Sequence, residues 1–224
     1  MQTIQTKAIV LGRTNYGEAD RIVHLLTPDH GVVGAIAKGV RREKSKLAGG
    51  IELLAVSDVT LHKGRGSLWL VTAARLETFY GEILRDYDRL QFAYYVLKDV
   101  SKAAEMVPEP EFYELLRTTL WSLNVPAIQL AMTTLWYRLQ MAILLGVGLN
   151  LATDASGDAL QGEATYRFDV GEMAFVRDER GNVGADCIKL LRVASANPPQ
   201  VLAKISVPVA VLEAATIVAR AVHE

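Results

Sequence analysis

Nine residues, Lys38-Gly39-Val40-Arg41-Arg42-Glu43-Lys44-Ser45-Lys46, hold five cations and one anion, and Gly49-Gly50 follows closely. Cations at that density repel one another, and a polyanion relieves the repulsion by giving up condensed counterions. Each phosphate contact on a single strand then adds roughly −0.7 to the log-log salt slope. A solvated loop with no partner is the plainer alternative for an isolated basic run. Lys63 and Arg65, the latter within Gly64-Arg65-Gly66-Ser67, extend the basic character to a second turn. The candidate nucleic-acid contacts are therefore Lys38, Arg41, Arg42, Lys44, Lys46, Lys63 and Arg65. Aromatic side chains, on which unpaired bases stack, are scarce nearby. Tyr16 and Trp69 are the candidates ahead of Phe79 and Tyr80, and hairpin or core packing explains each as well. Backbone-driven binding with little sequence preference is expected.

Catalytic chemistry finds little support. His24, His30, His62 and His223 fall in different segments without ligand spacing, and Asp20 with His24, four apart, would share a face only on a helix. No phosphate-binding loop, dinucleotide fingerprint, nucleophile elbow or zinc-protease motif occurs. Asp86 with Asp88, and Glu109 with Glu111, stand where helices should begin and are read as favouring the positive end of the helix dipole. Cys187 is the only cysteine, which excludes an internal disulfide and a cysteine-based zinc cluster, and it reads as a small buried apolar residue.

The chain has 224 residues, half of them hydrophobic, with a net charge of −1. Residues 1–80 carry 11 Lys and Arg against 7 Asp and Glu, whereas residues 81–224 carry 13 against 18. A near-neutral total thus conceals a basic first unit and an acidic second one. Met1 to Lys7 is polar, so no secretory signal is expected and the cytoplasm is the default location. Leu130 to Leu151 is the most apolar stretch, but Arg138 and Gln140 near its middle make it a core helix rather than a membrane span.

Turn chemistry and β-branched runs set out the elements that must position the basic loop. Strands are expected at Thr6–Leu11, Arg21–Leu26, Val32–Ala37, Ile51–Lys63 and Leu68–Ala74, with turns at Thr27-Pro28-Asp29-His30-Gly31 and at Gly64-Arg65-Gly66-Ser67. Five antiparallel strands in about 75 residues fit a small barrel of the OB-fold type. From Tyr87 the period becomes helical, with Leu90, Ala93, Tyr94, Leu97, Val100 and Ser101 on one face and Pro108 and Pro110 ending the helix. Further helices are expected at Glu111–Asn124, Ala127–Gly146, Asp186–Ala196 and Val207–Val222, the second of these central to a bundle. Gly146 and Gly148 should end that central helix, and Asn197-Pro198-Pro199 should break the one after it. Residues 149–184 read as an irregular insert with a hairpin, Ala164–Asp169 and Met173–Val176. The fold class is α+β with two domains: an OB-fold DNA-binding domain at 1–80 and a helical domain with a β-hairpin insert at 81–224.

In order along the chain, Tyr16-Gly17-Glu18-Ala19-Asp20-Arg21-Ile22, Thr27-Pro28-Asp29-His30-Gly31, Lys38-Gly39-Val40-Arg41-Arg42, Ser45-Lys46-Leu47-Ala48-Gly49 and Gly64-Arg65-Gly66 resemble the bacterial RecO family of recombination mediators. The likeness continues through Tyr87-Asp88-Arg89-Leu90 and from Arg138-Leu139 to Leu144-Leu145-Gly146. The resemblance implies an OB domain and a helical domain working without a cofactor and without catalysis. It implies binding of single- and double-stranded DNA, annealing of complementary strands, association with RecR, contact with the acidic C-terminal tail of single-stranded DNA-binding protein, and help in loading RecA at the nucleoid. Arg138 would pair the carboxylate of that tail, an internal salt bridge being its alternative.

One departure from the family stands out. Many relatives carry four zinc-binding cysteines after the central helix, at positions near Asp154 and Gly157 and within Phe175 to Glu179 here, where this chain has none. No structural zinc is expected, and the insert should be held by its hairpin and packing alone. Two other classes of function compete with the mediator: a protein-interaction adaptor whose barrel does not bind DNA, and a nuclease, for which no metal-binding constellation exists.

Overall fold

A computed structural model describes residues 2–107 and 109–223; Pro108, expected to end the first helix, lies outside them. The chain forms two compact units, Met1–Asn124 and Val125–Glu224.

The first unit is a closed barrel of five strands followed by two helices: β1 Thr3–Tyr16, β2 Asp20–Thr27, β3 Gly31–Ala37, β4 Ala55–Lys63, β5 Trp69–Phe79, α1 Tyr87–Met106 and α2 Glu111–Leu123. Strand order is β1-β2-β3-β5-β4, with β4 returning to β1. β1 pairs with β4 through Thr3–Ile9 and with β2 through Ile9–Tyr16, and its register shifts between Val10 and Gly12. Such a bulge bends one strand so that it can serve two neighbours around a barrel corner. Only the pairs Ala35↔Trp69 and Ile36↔Leu70 join β3 to β5, in parallel. Period-two burial puts Val33, Ala35 and Ala37 inside with Val10, Val23, Leu25, Val59, Leu61 and Val71. Gly50, in a 3-10 turn, lies so close to β5 that a Cβ there would come within 2.5 Å of the Ala74 backbone.

The fold class is as expected, and the boundaries differ where local backbone geometry decides. β1 and β5 are longer than their apolar runs. The expected strand from Ile51 starts only at Ala55, because Leu54 takes φ +58°, a left-handed value that interrupts a strand. α1 begins where Asp86 accepts hydrogen bonds from the N–H groups of Asp88 and Arg89, so the capping reading holds there. The expected inward face of α1 is rotated: Tyr94 is exposed, and Val96, Ala103 and Ala104 are buried instead. α2 buries Phe112, Leu115, Leu116, Thr119, Leu120 and Leu123 as expected, but it starts after Pro110 without a side-chain cap from Glu109.

The second unit is helical with a small hairpin: α3 Leu130–Leu144, β6 Tyr166–Asp169, β7 Ala174–Arg177, α4 Ala185–Ala196, α5 Pro199–Leu202 and α6 Val209–His223. α3 is its core, burying nine of its residues, and it packs against α4, α5 and α6. It ends as expected at Gly146, whose φ of +78° lets Gly146 N–H bond Ile143 and Val147 N–H bond Ala142. Asn197 ends α4, but Pro199 then starts the short helix α5 rather than a plain break. Among the described residues, no helix is long and apolar enough to cross a membrane.

The insert has more to hold it than hairpin and packing. Asp154 Oδ1 accepts the N–H groups of Ser156 and Asp158, Asp178 Oδ1 accepts that of Arg180, and Gly157 and Gly181 N–H groups return to the carbonyls of Asp154 and Asp178. These are Asx turns, in which a carboxylate organises the backbone that follows it. Arg167 bonds Asp169 and lies 3.9 Å from Asp178, and its hydrogen bond holds the Asp169 carboxyl below the ordinary carboxylate range. Phe168 meets Phe175 edge to face at 5.3 Å.

Candidate nucleic-acid interface

The basic loop leaves the end of β3 and is tied to the turn between β1 and β2. Gly39 takes φ +63°, a conformation favouring glycine, and its N–H donates to Asp20 Oδ1 at 2.7 Å. Val40 turns inward and is buried in the barrel core. Arg41 N–H then donates to Ala19 O at 2.9 Å, and its guanidinium donates to Gly17 O at 3.3 Å. Backbone bonds from Arg42 to Gly39 and from Ser45 to Arg42 close successive turns, and Leu47 N–H reaches Ser45 Oγ. One apolar plug and three latching hydrogen bonds thus hold the base of a loop whose cations, Lys38, Arg41, Arg42, Lys44 and Lys46, are all exposed.

Ion pairing sorts the barrel's eleven cations cleanly. Lys7 pairs with Glu77 and Asp58, Arg75 with Asp58 at 2.7 Å, and Arg13 and Arg21 with Glu52. The hydrogen bond from Arg75 holds the Asp58 carboxyl below its ordinary value. No ion pair forms, among the described residues, on the other seven: Lys38, Arg41, Arg42, Lys44, Lys46, Lys63 and Arg65. Among the described residues of the barrel, side-chain positive charge without an ion pair is therefore confined to the loop and the second hairpin, where a polyanion gains most.

In the β4–β5 hairpin, Lys63 Nζ donates to Ser67 O at 3.1 Å and stands 5.1 Å from the centre of the Trp69 ring, while Arg65 is exposed at the tip. Lys63 pairs with Trp69, which pairs with Ala35, three residues before Lys38. The two basic elements are therefore roughly 10 Å apart across the sheet and roughly 10 Å along it. A backbone of a few nucleotides spans that distance.

The remaining sequence candidates are dispersed. Asp20 and His24 both lie on β2, about 13 Å apart at strand rise, and no group of three His, Cys, Asp or Glu among the described residues is placed to hold a metal. Arg138 stands on α3 with 8% of its surface exposed, so only that margin faces solvent. Sequence reasoning missed Asp20, Val40 and Gly17 as the residues that fix the loop. A single valine inside a basic run was the available signal for an inward anchor.

Residues 1–80 match the family model described as Recombination protein O N terminal, and residues 84–221 match the one described as Recombination protein O C terminal. The five-stranded barrel is the OB-fold-like domain of that family, followed by its helical part. With the two models spanning nearly the whole molecule, the chain belongs to the RecO family of recombination mediators, whose role lies in DNA repair and recombination.

Proposed function

We propose that residues 1–80 grip the phosphates of single- and double-stranded DNA through Lys38, Arg41, Arg42, Lys44, Lys46, Lys63 and Arg65. The protein anneals complementary strands at the nucleoid and, with RecR, helps load RecA onto DNA coated by single-stranded DNA-binding protein. The acidic tail of that protein engages the helical part, 81–224, with its carboxylate at the margin of Arg138. One observation carries the DNA reading: the barrel neutralises its other four cations internally and, among the described residues, leaves these seven without an ion pair.

Binding to a single-stranded oligonucleotide across a salt series tests the grip. Charge reversal of Arg41, Arg42 and Lys44 together should weaken binding and flatten the log-log slope by about 2, at roughly 0.7 for each phosphate no longer held. Unchanged affinity and slope in a folded variant would leave a protein-interaction adaptor as the better reading. Annealing of strands coated with the cognate single-stranded DNA-binding protein tests the mediator role, and failure of the folded protein to anneal them would reject it.

A further inference from the structure

The loop is tied to a hairpin tip that carries an aromatic side chain, and the geometry points to Tyr16 as a platform for one unpaired base. This rests on the phosphate-gripping reading of the loop. Tyr16 ends β1 directly opposite Asp20. Directly opposed residues of an antiparallel pair project from the same face. The Asp20 carboxylate on that face receives the Gly39 N–H, so Tyr16 lies on the side of the ribbon that meets the basic loop. The residues next in the turn, Gly17 and Ala19, accept both hydrogen bonds of Arg41.

Tyr16 is 55% exposed, and its side chain takes part in no hydrogen bond or ring contact among the described residues. Trp69, the other aromatic candidate, is half-buried and has the Lys63 ammonium over its ring. Of the two, only Tyr16 combines an open ring face with neighbouring cations that have no ion pair among the described residues. A strand whose phosphates rest on Lys38, Arg41 and Arg42 would bring a base within reach of that ring. Stacking requires an unpaired base, since a duplex keeps its base faces covered. Tyr16 thus adds affinity for single strands and none for duplex, and it distinguishes the two where phosphate contacts cannot.

The full chain with Tyr16→Ala or Tyr16→Phe is compared with wild type on a mixed-sequence single strand and on the matching duplex across a salt series. Tyr16→Ala should weaken single-strand affinity about tenfold, within the range for one stacked base, with the salt slope and duplex affinity unchanged. Tyr16→Phe should stay within about twofold, because the ring face and not the hydroxyl stacks. On an oligonucleotide made abasic throughout its central stretch, wild type and Tyr16→Ala should converge. Wild-type single-strand affinity in Tyr16→Ala, or an equal weakening on single strand and duplex, would overturn the inference. The charge-reversed loop is judged separately: its failure to weaken binding rejects the phosphate grip, whereas weakening there with none in Tyr16→Ala rejects only the platform.

Discussion

Asp20 Oδ1 accepts the backbone N–H of Gly39 at 2.7 Å, so the carboxylate at the root of the basic loop bonds the loop's backbone and, among the described residues, forms no ion pair with its cations. The cations stay available while their scaffold is fixed. Asp20→Ala should cost about 1 kcal/mol of stability in denaturant unfolding and should speed amide exchange at Gly39 and Arg41. Asp20→Asn, which keeps an acceptor, should be milder.

Gly50 and Gly181 test close approach of backbones. A Cβ at Gly50 would lie 2.5 Å from the Ala74 backbone, and one at Gly181 would lie 2.2 Å from Tyr166 O. Each glycine-to-alanine change should cost about 2 to 3 kcal/mol or more. Gly50→Ala should lower the thermal midpoint of the barrel, and Gly181→Ala should open the insert to limited proteolysis. Gly64→Ala, with open space around it, is the matched control and should be nearly neutral.

Burial pushes the Tyr113 hydroxyl up to about 12, and that hydroxyl has no hydrogen-bond partner among the described residues. The folded state therefore favours the neutral phenol, whose ordinary value is near 10. Its contribution is whole below pH ~10 and is lost as pH rises from there through about 12. Tyr113→Phe should be as stable as wild type or up to about 1 kcal/mol more so at pH ~7. It should also weaken the alkaline decline in a pH series of melting curves.

Cys187 is buried, and burial pushes its thiol up to about 11. Thiolate is the reactive form. Iodoacetamide at about pH 8 should leave the native protein almost unlabelled over a time in which the protein unfolded in urea is fully alkylated, as counted by mass spectrometry.

Asp154 closes its turn through two backbone N–H groups. Asp154→Ala should destabilise the insert by about 1 kcal/mol, read as faster exchange at Ser156 and Asp158, while leaving the barrel's exchange unchanged.

The barrel was legible because its strands follow period-two burial between turn residues. The seven candidate cations were legible from composition, since hardly any neighbour in sequence neutralised them. The latch was not, because Asp20 and Gly39 are joined through strand pairing and lie 19 residues apart. The late start of β4 escaped for a similar reason: Leu54 holds a left-handed backbone that its side chain disfavours, and only tertiary packing imposes it. The outward turn of Tyr94 shows the limit of helical periodicity, since tyrosine tolerates either face. Asx turns in the insert were hidden because Asp followed two residues later by a polar or glycine residue is common in any loop.

Two residue pairs, Ala35↔Trp69 and Ile36↔Leu70, close the barrel between β3 and β5, against seven or more on each neighbouring pairing. Under tension that short seam is where the cylinder should unzip first, as a hinge that splays the β4–β5 hairpin away from the end of β3. Lys63 and Arg65 ride on one side of the hinge and the loop from Lys38 to Lys46 on the other. A backbone held by both sets would act as a strap across the seam, so a strand pulled taut would lock the cylinder shut.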